Sequence, residues 1–173
     1  LALLQMSGYK NTYGADLNTL HITKIKKQKL LTNLFSFSEK TFSEILNGRT
    51  IFDDNFFDII ISNQVLEHVN DFDQYYLELT RVLNKNGKAI LIFPHKFKLY
   101  DTHSRTFCIH LFPRFIRGIL YDIFTKKKKK YFFSLLNLKT PKFHYKLSNM
   151  YFNKIKNISL TIKKNKNINY KYD

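Results

Sequence analysis

Asp16 closes the segment YKNTYGADL at residues 9–17, and Ser62, Asn63 and Gln64 follow directly on the apolar run FDIII at residues 57–61. Both are polar groups at the end of a strand-like stretch, which is where open α/β sheets hold their ligands. A carboxylate accepts two hydrogen bonds at once, so Asp16 suits the paired hydroxyls of a ribose. The same residue is also an ordinary acidic N-cap for whatever follows it. Glu67 and His68 lie a few residues further on, in the tetrapeptide Val65-Leu66-Glu67-His68. His95, His103 and His110 recur through the next region without carboxylates or cysteines at ligand spacing, so no metal site is expected. A Gly-x-Ser-x-Gly elbow, a P-loop and a Cys-x-x-Cys pair do not occur, which leaves hydrolase and kinase chemistry without support.

The elements that must position these groups follow from residue pattern. Residues 57–61 and 89–93 are short, unbroken apolar runs rich in isoleucine, the second stopped by Pro94. Such runs suit strands covered on both faces. Between them Phe72, Tyr75, Tyr76, Leu79, Val82 and Leu83 recur at helical spacing as one apolar stripe. Asn70 or Asp71 can cap the start of that helix, and Gly87 is expected to supply a left-handed residue just past its end. Strand, crossover helix and strand within about 40 residues make a βαβ unit, whose two strands lie parallel in one sheet. Residues 9–17 add a third strand. The expected fold class is α/β, a doubly wound and mostly parallel sheet.

In order and spacing these segments resemble the class I methyltransferases that use S-adenosylmethionine, of the methyltransferase type 11 kind. GYKNTYGAD is similar to that family's second strand with its G-x-D ending. FDDNFFDIIISNQVLEHV is similar to the fourth strand and the loop after it, and LELTRVLNKNGKAILIF to the next helix and fifth strand. The resemblance runs over residues 1–94, just over half of the chain. It implies a Rossmann-like fold, S-adenosylmethionine as cofactor and methyl transfer as the reaction. It further implies that Asp16 binds the ribose, that Leu17 lies against the adenosine, and that Ser62, Asn63 and Gln64 contact the methionine part, partly through main chain. Glu67 and His68 match a recurrent Leu-Glu-His triplet, whose expected role is to orient the loop by hydrogen bonds. A sulfonium is already activated, so the protein has mainly to align donor and acceptor and exclude water. Where the acceptor is a hydroxyl, His103 is the candidate general base, because imidazole accepts a proton near neutral pH.

Two features depart from the family pattern. The glycine-rich D-x-G-x-G turn that follows the first strand does not occur, and Leu1-Ala2-Leu3-Leu4-Gln5-Met6 resembles the middle of the helix that opens at that turn. The expectation is a fragment that lacks the first strand. Many relatives also carry an acid after the third strand. Its nearest match is Asn47, and that role has no assigned residue.

Composition bounds the remainder. The 173 residues suit one domain with a workable core, and no signal peptide or bilayer-length apolar stretch is visible. The lone Cys108 has no partner for an internal disulfide, and a cytoplasmic location is expected. Charge is uneven: residues 1–95 hold ten basic and ten acidic side chains, whereas residues 96–173 hold 19 and three, so the whole net +16 falls on the second part. A run of five lysines at 126–130 leads into Tyr131-Phe132-Phe133. Such a surface attracts polyanions, whether an anionic membrane surface, nucleic acid or a nucleotide-linked substrate.

The expected organisation is a partial cofactor-binding core at 1–94, a basic acceptor-binding or lid region at 95–144, and a basic segment at 145–173 with an edge strand near 158–162 and a tail. The stretch HKFKLYDTH after Pro94, with Phe112-Pro113-Arg114, resembles a subgroup associated with surface polysaccharide and other saccharide pathways. That resemblance implies a small-molecule acceptor such as a saccharide or a nucleotide- or lipid-linked sugar. Residues 107–124 read as a lid helix or an interfacial helix. Two other readings stand beside this one. An RNA-directed methyltransferase suits the charge but not the sequence Ser62-Asn63-Gln64-Val65, which replaces the N/D-P-P-Y/F turn of such enzymes. A non-catalytic interaction module of the same fold would have no need of the glycine loop.

Overall fold

The two isoleucine-rich runs become strands, and the striped segment between them becomes a helix. The computed structural model describes residues 4, 7–9, 11–16, 20, 22–24, 42–94, 96–97, 100–101, 106–107, 111–125 and 137–158. In chain order its elements are β1 Gly14–Asp16, β2 Phe42–Glu44, β3 Phe57–Asn63, a 3-10 turn Leu66–His68, α1 Phe72–Val82, β4 Leu83–Ile92, β5 Tyr100–Asp101, β6 Thr106–Phe107, α2 Arg114–Thr125 and α3 Pro141–Tyr151. β1 pairs with β2, β3 with β4, and β5 with β6. Near the start of β3 and β4 the Asn84 side-chain amide donates to Asp58 Oδ1, and at their far end Gln64 N–H donates to Ile92 O, so the two strands run parallel. A helix between two parallel paired strands is the crossover unit that the pattern predicts.

The described chain forms two compact units. The first comprises Leu1–Ile61 with Gln74–Ile90. In it β1 and β2 are parallel, with Gly14 opposite Phe42, Ala15 opposite Ser43 and Asp16 opposite Glu44. β1 is shorter than the strand expected over residues 9–17, because Tyr9 N–H turns back to Leu4 O. Tyr13 instead packs edge-on against Phe52, Phe56 and Phe57, with ring centroids 5.3–5.8 Å apart. After β2 the chain reverses through Asn47 and Gly48, at φ 52° and 75°, while Leu46 and Arg49 exchange two main-chain hydrogen bonds of 2.9 Å. This is the two-residue hairpin that Asn-Gly favours, because both residues tolerate positive φ. Tyr76, Leu79 and Val82 bury the apolar face of α1, together with Phe52 and Ile22.

An ion-pair network secures α1 to the loop before β3. Glu78 is buried, and its Oε1 accepts from Thr50 N–H, Thr50 Oγ1 and Arg81 Nη2 at 2.7–2.8 Å. Its Oε2 accepts from Arg81 Nε, and Arg81 Nη1 reaches Asp54 at 2.7 Å. Burial pushes the Glu78 carboxyl up, but the hydrogen bonds from Arg81 and Thr50 outweigh it and hold the group below its usual range.

Two expectations about these strands are corrected. Gly87 is not a left-handed residue past a helix, because α1 runs straight into β4 and Gly87 lies inside that strand. It is glycine for a different reason: a Cβ there would meet Asn84 O at 2.9 Å and Asp58 O at 3.0 Å. The strands are also not covered on both faces. Ile59, Ile61, Ile90 and Ile92 are exposed, as alternate residues on one face, while Ser62 is buried on the other.

The second unit comprises Ser62–Asp73 with Leu91–Asp173. Its core gathers Leu66, Val69, Phe72 and Leu138. Thr140 caps α3 by accepting from Phe143 N–H, and Pro141 occupies the first turn, where its missing donor costs nothing. α3 carries His144 into contact with Phe72, Phe93 and Phe143, with ring centroids 4.5–5.4 Å apart. It ends with the Tyr151 hydroxyl donating to Asp73 at 2.6 Å. The helix runs through residue 145, the sequence-based boundary between the second and third regions. Most of the stretch expected as an edge strand, residues 159–162, lies outside the described residues.

Candidate functional site

Asp16 is the last residue of β1 and Glu44 the last of β2, and the parallel register sets them side by side. Asp16 is exposed and Glu44 half-buried, and Ile45 N–H donates to Asp16 O at 3.0 Å. Two adjacent parallel strands thus present carboxylates at their carboxyl ends, the arrangement that accepts hydrogen bonds from a polyhydroxylated ligand. Sequence pattern does not reveal Glu44. A three-residue strand carries too little periodicity to register, and the search for an acid after the third strand leads to Asn47, which the structure assigns to the hairpin turn.

In the second unit the polar residues at the end of β3 separate by side. Ser62 is buried, whereas Asn63 and Gln64 are exposed. Gln64 stands at φ 56°, a left-handed conformation that a residue with a Cβ adopts at a cost of about 1 kcal/mol. That conformation ends the strand and turns the chain toward the 3-10 turn. Because Gln64 N–H is engaged by Ile92 O, a ligand could meet this residue only through its carbonyl or its side-chain amide.

Main-chain contacts hold the loop after β3. Asn137 N–H donates to Glu67 O at 2.7 Å, and the Asn137 side-chain amide donates to Val69 O at 2.9 Å. Glu67 itself is buried, and its Oε2 has no hydrogen-bond partner among the described residues. The loop is therefore secured through its backbone carbonyls by a residue about 70 positions away. On α3, against Phe72 and Phe93, His144 is held neutral. Burial, and secondarily the nearby Lys139 ammonium, push its pKa from the usual 6.5 down to about 4. The Lys139 ammonium lies 5.8 Å from the Phe72 ring centroid and 5.6 Å from that of Phe143.

Leu17 and His103 lie outside the described residues, as do His95, Cys108, His110 and the lysines at 126–130. Among the described residues no group of three or more His, Cys, Asp or Glu side chains could hold a metal, and no helix is long and apolar enough to cross a membrane.

Parallel strands joined by a crossover helix, with acids and polar turns at their carboxyl ends, define a Rossmann-like α/β protein of the cofactor-binding class. Residues 1–91 match the family model of the methyltransferase domain, and the chain belongs to that family, the class I S-adenosylmethionine-dependent methyltransferases. No curated protein matches the sequence. The family transfers methyl groups and generally binds S-adenosylmethionine, which makes this a methyltransferase by descent and fold.

Proposed function

We propose that this chain transfers a methyl group from S-adenosylmethionine to a small-molecule acceptor, a saccharide or a nucleotide- or lipid-linked sugar. The observation that carries the cofactor part is the pair of carboxylates, Asp16 and Glu44, in register at the ends of two parallel strands, in a chain whose residues 1–91 match the methyltransferase domain. The donor set suits the cofactor: acids for ribose hydroxyls, amide groups for a charged amino-acid end. When bound, S-adenosylmethionine supplies a methyl group already activated on a sulfonium. Asp16 accepts the ribose hydrogen bonds, with Leu17 against the adenosine. Asn63 and the carbonyl or side chain of Gln64 orient the methionine part, and Ser62 supports that loop from its buried side. Residues 95–124 select the acceptor, and His103 takes the proton from an acceptor hydroxyl. A cytoplasmic location is part of this reading.

The test is calorimetric titration with S-adenosylhomocysteine, comparing the native chain with Asp16→Ala and Glu44→Ala. Saturable binding that Asp16→Ala weakens by about tenfold or more, the loss of a charge-assisted hydrogen-bonded pair, is the expected result. Binding indifferent to both substitutions, or no binding at all, would remove the cofactor assignment.

A further inference from the structure

Two glutamates among the described residues are buried, and the structure accounts for only one of them. The Glu78 carboxylate accepts from Thr50 N–H, Thr50 Oγ1, Arg81 Nε and Arg81 Nη2. Glu67 is buried more deeply, 4% exposed against 8%, yet its Oε2 meets no donor among the described residues. A carboxyl group withdrawn from water without a partner is costly whether or not it is charged, so folding alone gives no reason to keep one there. The turn that carries it is well fixed. Leu66, 1% exposed, and Val69 anchor it on either side of Glu67. His68 N–H donates to Val65 O and Val69 N–H to Leu66 O, so the two N–H groups that follow Glu67 are already engaged. Asn137 holds the carbonyls of Glu67 and Val69, so swinging the side chain out to water would break these bonds.

The place of the turn says what kind of group would complete it. It begins three residues after Asn63, the last residue of β3, at the carboxyl end where parallel sheets take their ligands. A buried, immobilised acceptor at such an edge is completed by a donor that the ligand brings. The methionine part of S-adenosylmethionine carries two cations, its ammonium and its sulfonium. Asn63 and Gln64 offer that part only neutral amides, and Glu67 is the one acid between Asn63 and Asn70. We infer that the Glu67 carboxylate is the anionic subsite for a cationic group on the methionine part of the cofactor. This inference rests on the cofactor reading above and adds a charged residue to it. Away from water, a carboxylate facing a cation is worth more than the same pair at a surface, and more than a neutral amide in its place.

The test is calorimetric titration of the full native chain and Glu67→Gln with three probes. S-adenosylmethionine carries both cations, S-adenosylhomocysteine keeps the ammonium without the sulfonium, and methylthioadenosine has neither. Glu67→Gln should weaken S-adenosylmethionine by about tenfold or more and leave methylthioadenosine within about twofold. An equal loss for S-adenosylhomocysteine would make the ammonium the partner, and an unchanged affinity for it would make the sulfonium the partner. A second readout needs no ligand. Glu67→Met keeps the length of the side chain and removes a buried carboxyl without a partner, so the free chain should melt at the same temperature or higher. A lower melting temperature for both Glu67→Gln and Glu67→Met would mean that the carboxylate holds the fold together, and would overturn the inference. Equal losses for all three probes, or no loss for any, would overturn it too while leaving the cofactor reading in place. A native chain that binds none of the three would remove both.

Discussion

Replacing His144 with phenylalanine removes one titrating group from a cluster of rings while keeping its shape. His144 is 5% exposed, its ring lies against Phe72, Phe93 and Phe143, and its Nδ1 has no hydrogen-bond partner among the described residues. Protonating it would bury a cation beside the Lys139 ammonium, and its pKa is therefore pushed from 6.5 down to about 4. As pH falls through 6.5 the unfolded chain takes up a proton at this histidine, but the folded chain does not until about pH 4. In that window the unfolded state binds more protons, so stability declines as pH falls, with a slope approaching about 1.4 kcal/mol per pH unit. Integrated over the gap of roughly 2.5 units, the loss approaches about 3 kcal/mol near pH 4 and is absent above pH 7. The carboxylates of both proteins titrate alike, so the difference between native chain and variant isolates His144. Urea unfolding of the two at a series of pH values between 7 and 4, followed by circular dichroism, gives that difference. At pH 7 the two should lie within about 1 kcal/mol of each other, since a ring replaces a ring and an unpaired nitrogen disappears. At low pH the variant should be the more stable by about 2–3 kcal/mol. Parallel pH profiles would refute the reasoning, as would an NMR titration placing the His144 pKa above 6.

Other substitutions probe the scaffold. Glu78→Gln should destabilise the fold by about 2–3 kcal/mol in urea unfolding at pH 7, because it leaves the Arg81 guanidinium facing an amide in a half-buried setting. Gly87→Ala should lower the melting temperature and cost about 1–3 kcal/mol, because its Cβ would press on backbone oxygens of Asn84 and Asp58 that cannot swing away. A neutral effect there would mean that β3 and β4 separate easily.

How far these features can be read without coordinates differs from one to the next. The crossover unit is legible because its evidence is local: isoleucine-rich runs, an apolar stripe on α1 that is buried as expected at Phe72, Tyr76, Leu79 and Val82, and a stop at Pro94. Asp16 is legible as a strand-ending acid for the same reason. The Asn47-Gly48 turn carries a plain local signature too, although in the family pattern Asn47 is only the nearest match to an acid after the third strand, a role left without a residue. Glu44 is not legible, because only the register with Asp16 gives a three-residue strand any meaning. Nor is α3 as a clamp. Thr140-Pro141 announces a helix start, but nothing local says that His144 will meet Phe72 and Phe93, or that Asn137 will hold Glu67 and Val69.

Gly87 and the isoleucines show where the division falls. A glycine shortly after a helical stripe reads as a helix terminator, and the nearness of Leu83 Cδ1, Asn84 O and, across the sheet, Asp58 O makes it a close-packed strand position. An isoleucine-rich run reads as doubly covered, and only the assembled sheet leaves Ile59, Ile61, Ile90 and Ile92 open to water. The sequence by itself determined the strands and helix of the crossover, their order and the family, because backbone preference and apolar periodicity depend on neighbours a few residues apart. The tertiary structure alone decided which faces are covered, which acids stand together and which histidine is held neutral. Those are properties of burial and of through-space charge, supplied by residues tens of positions away.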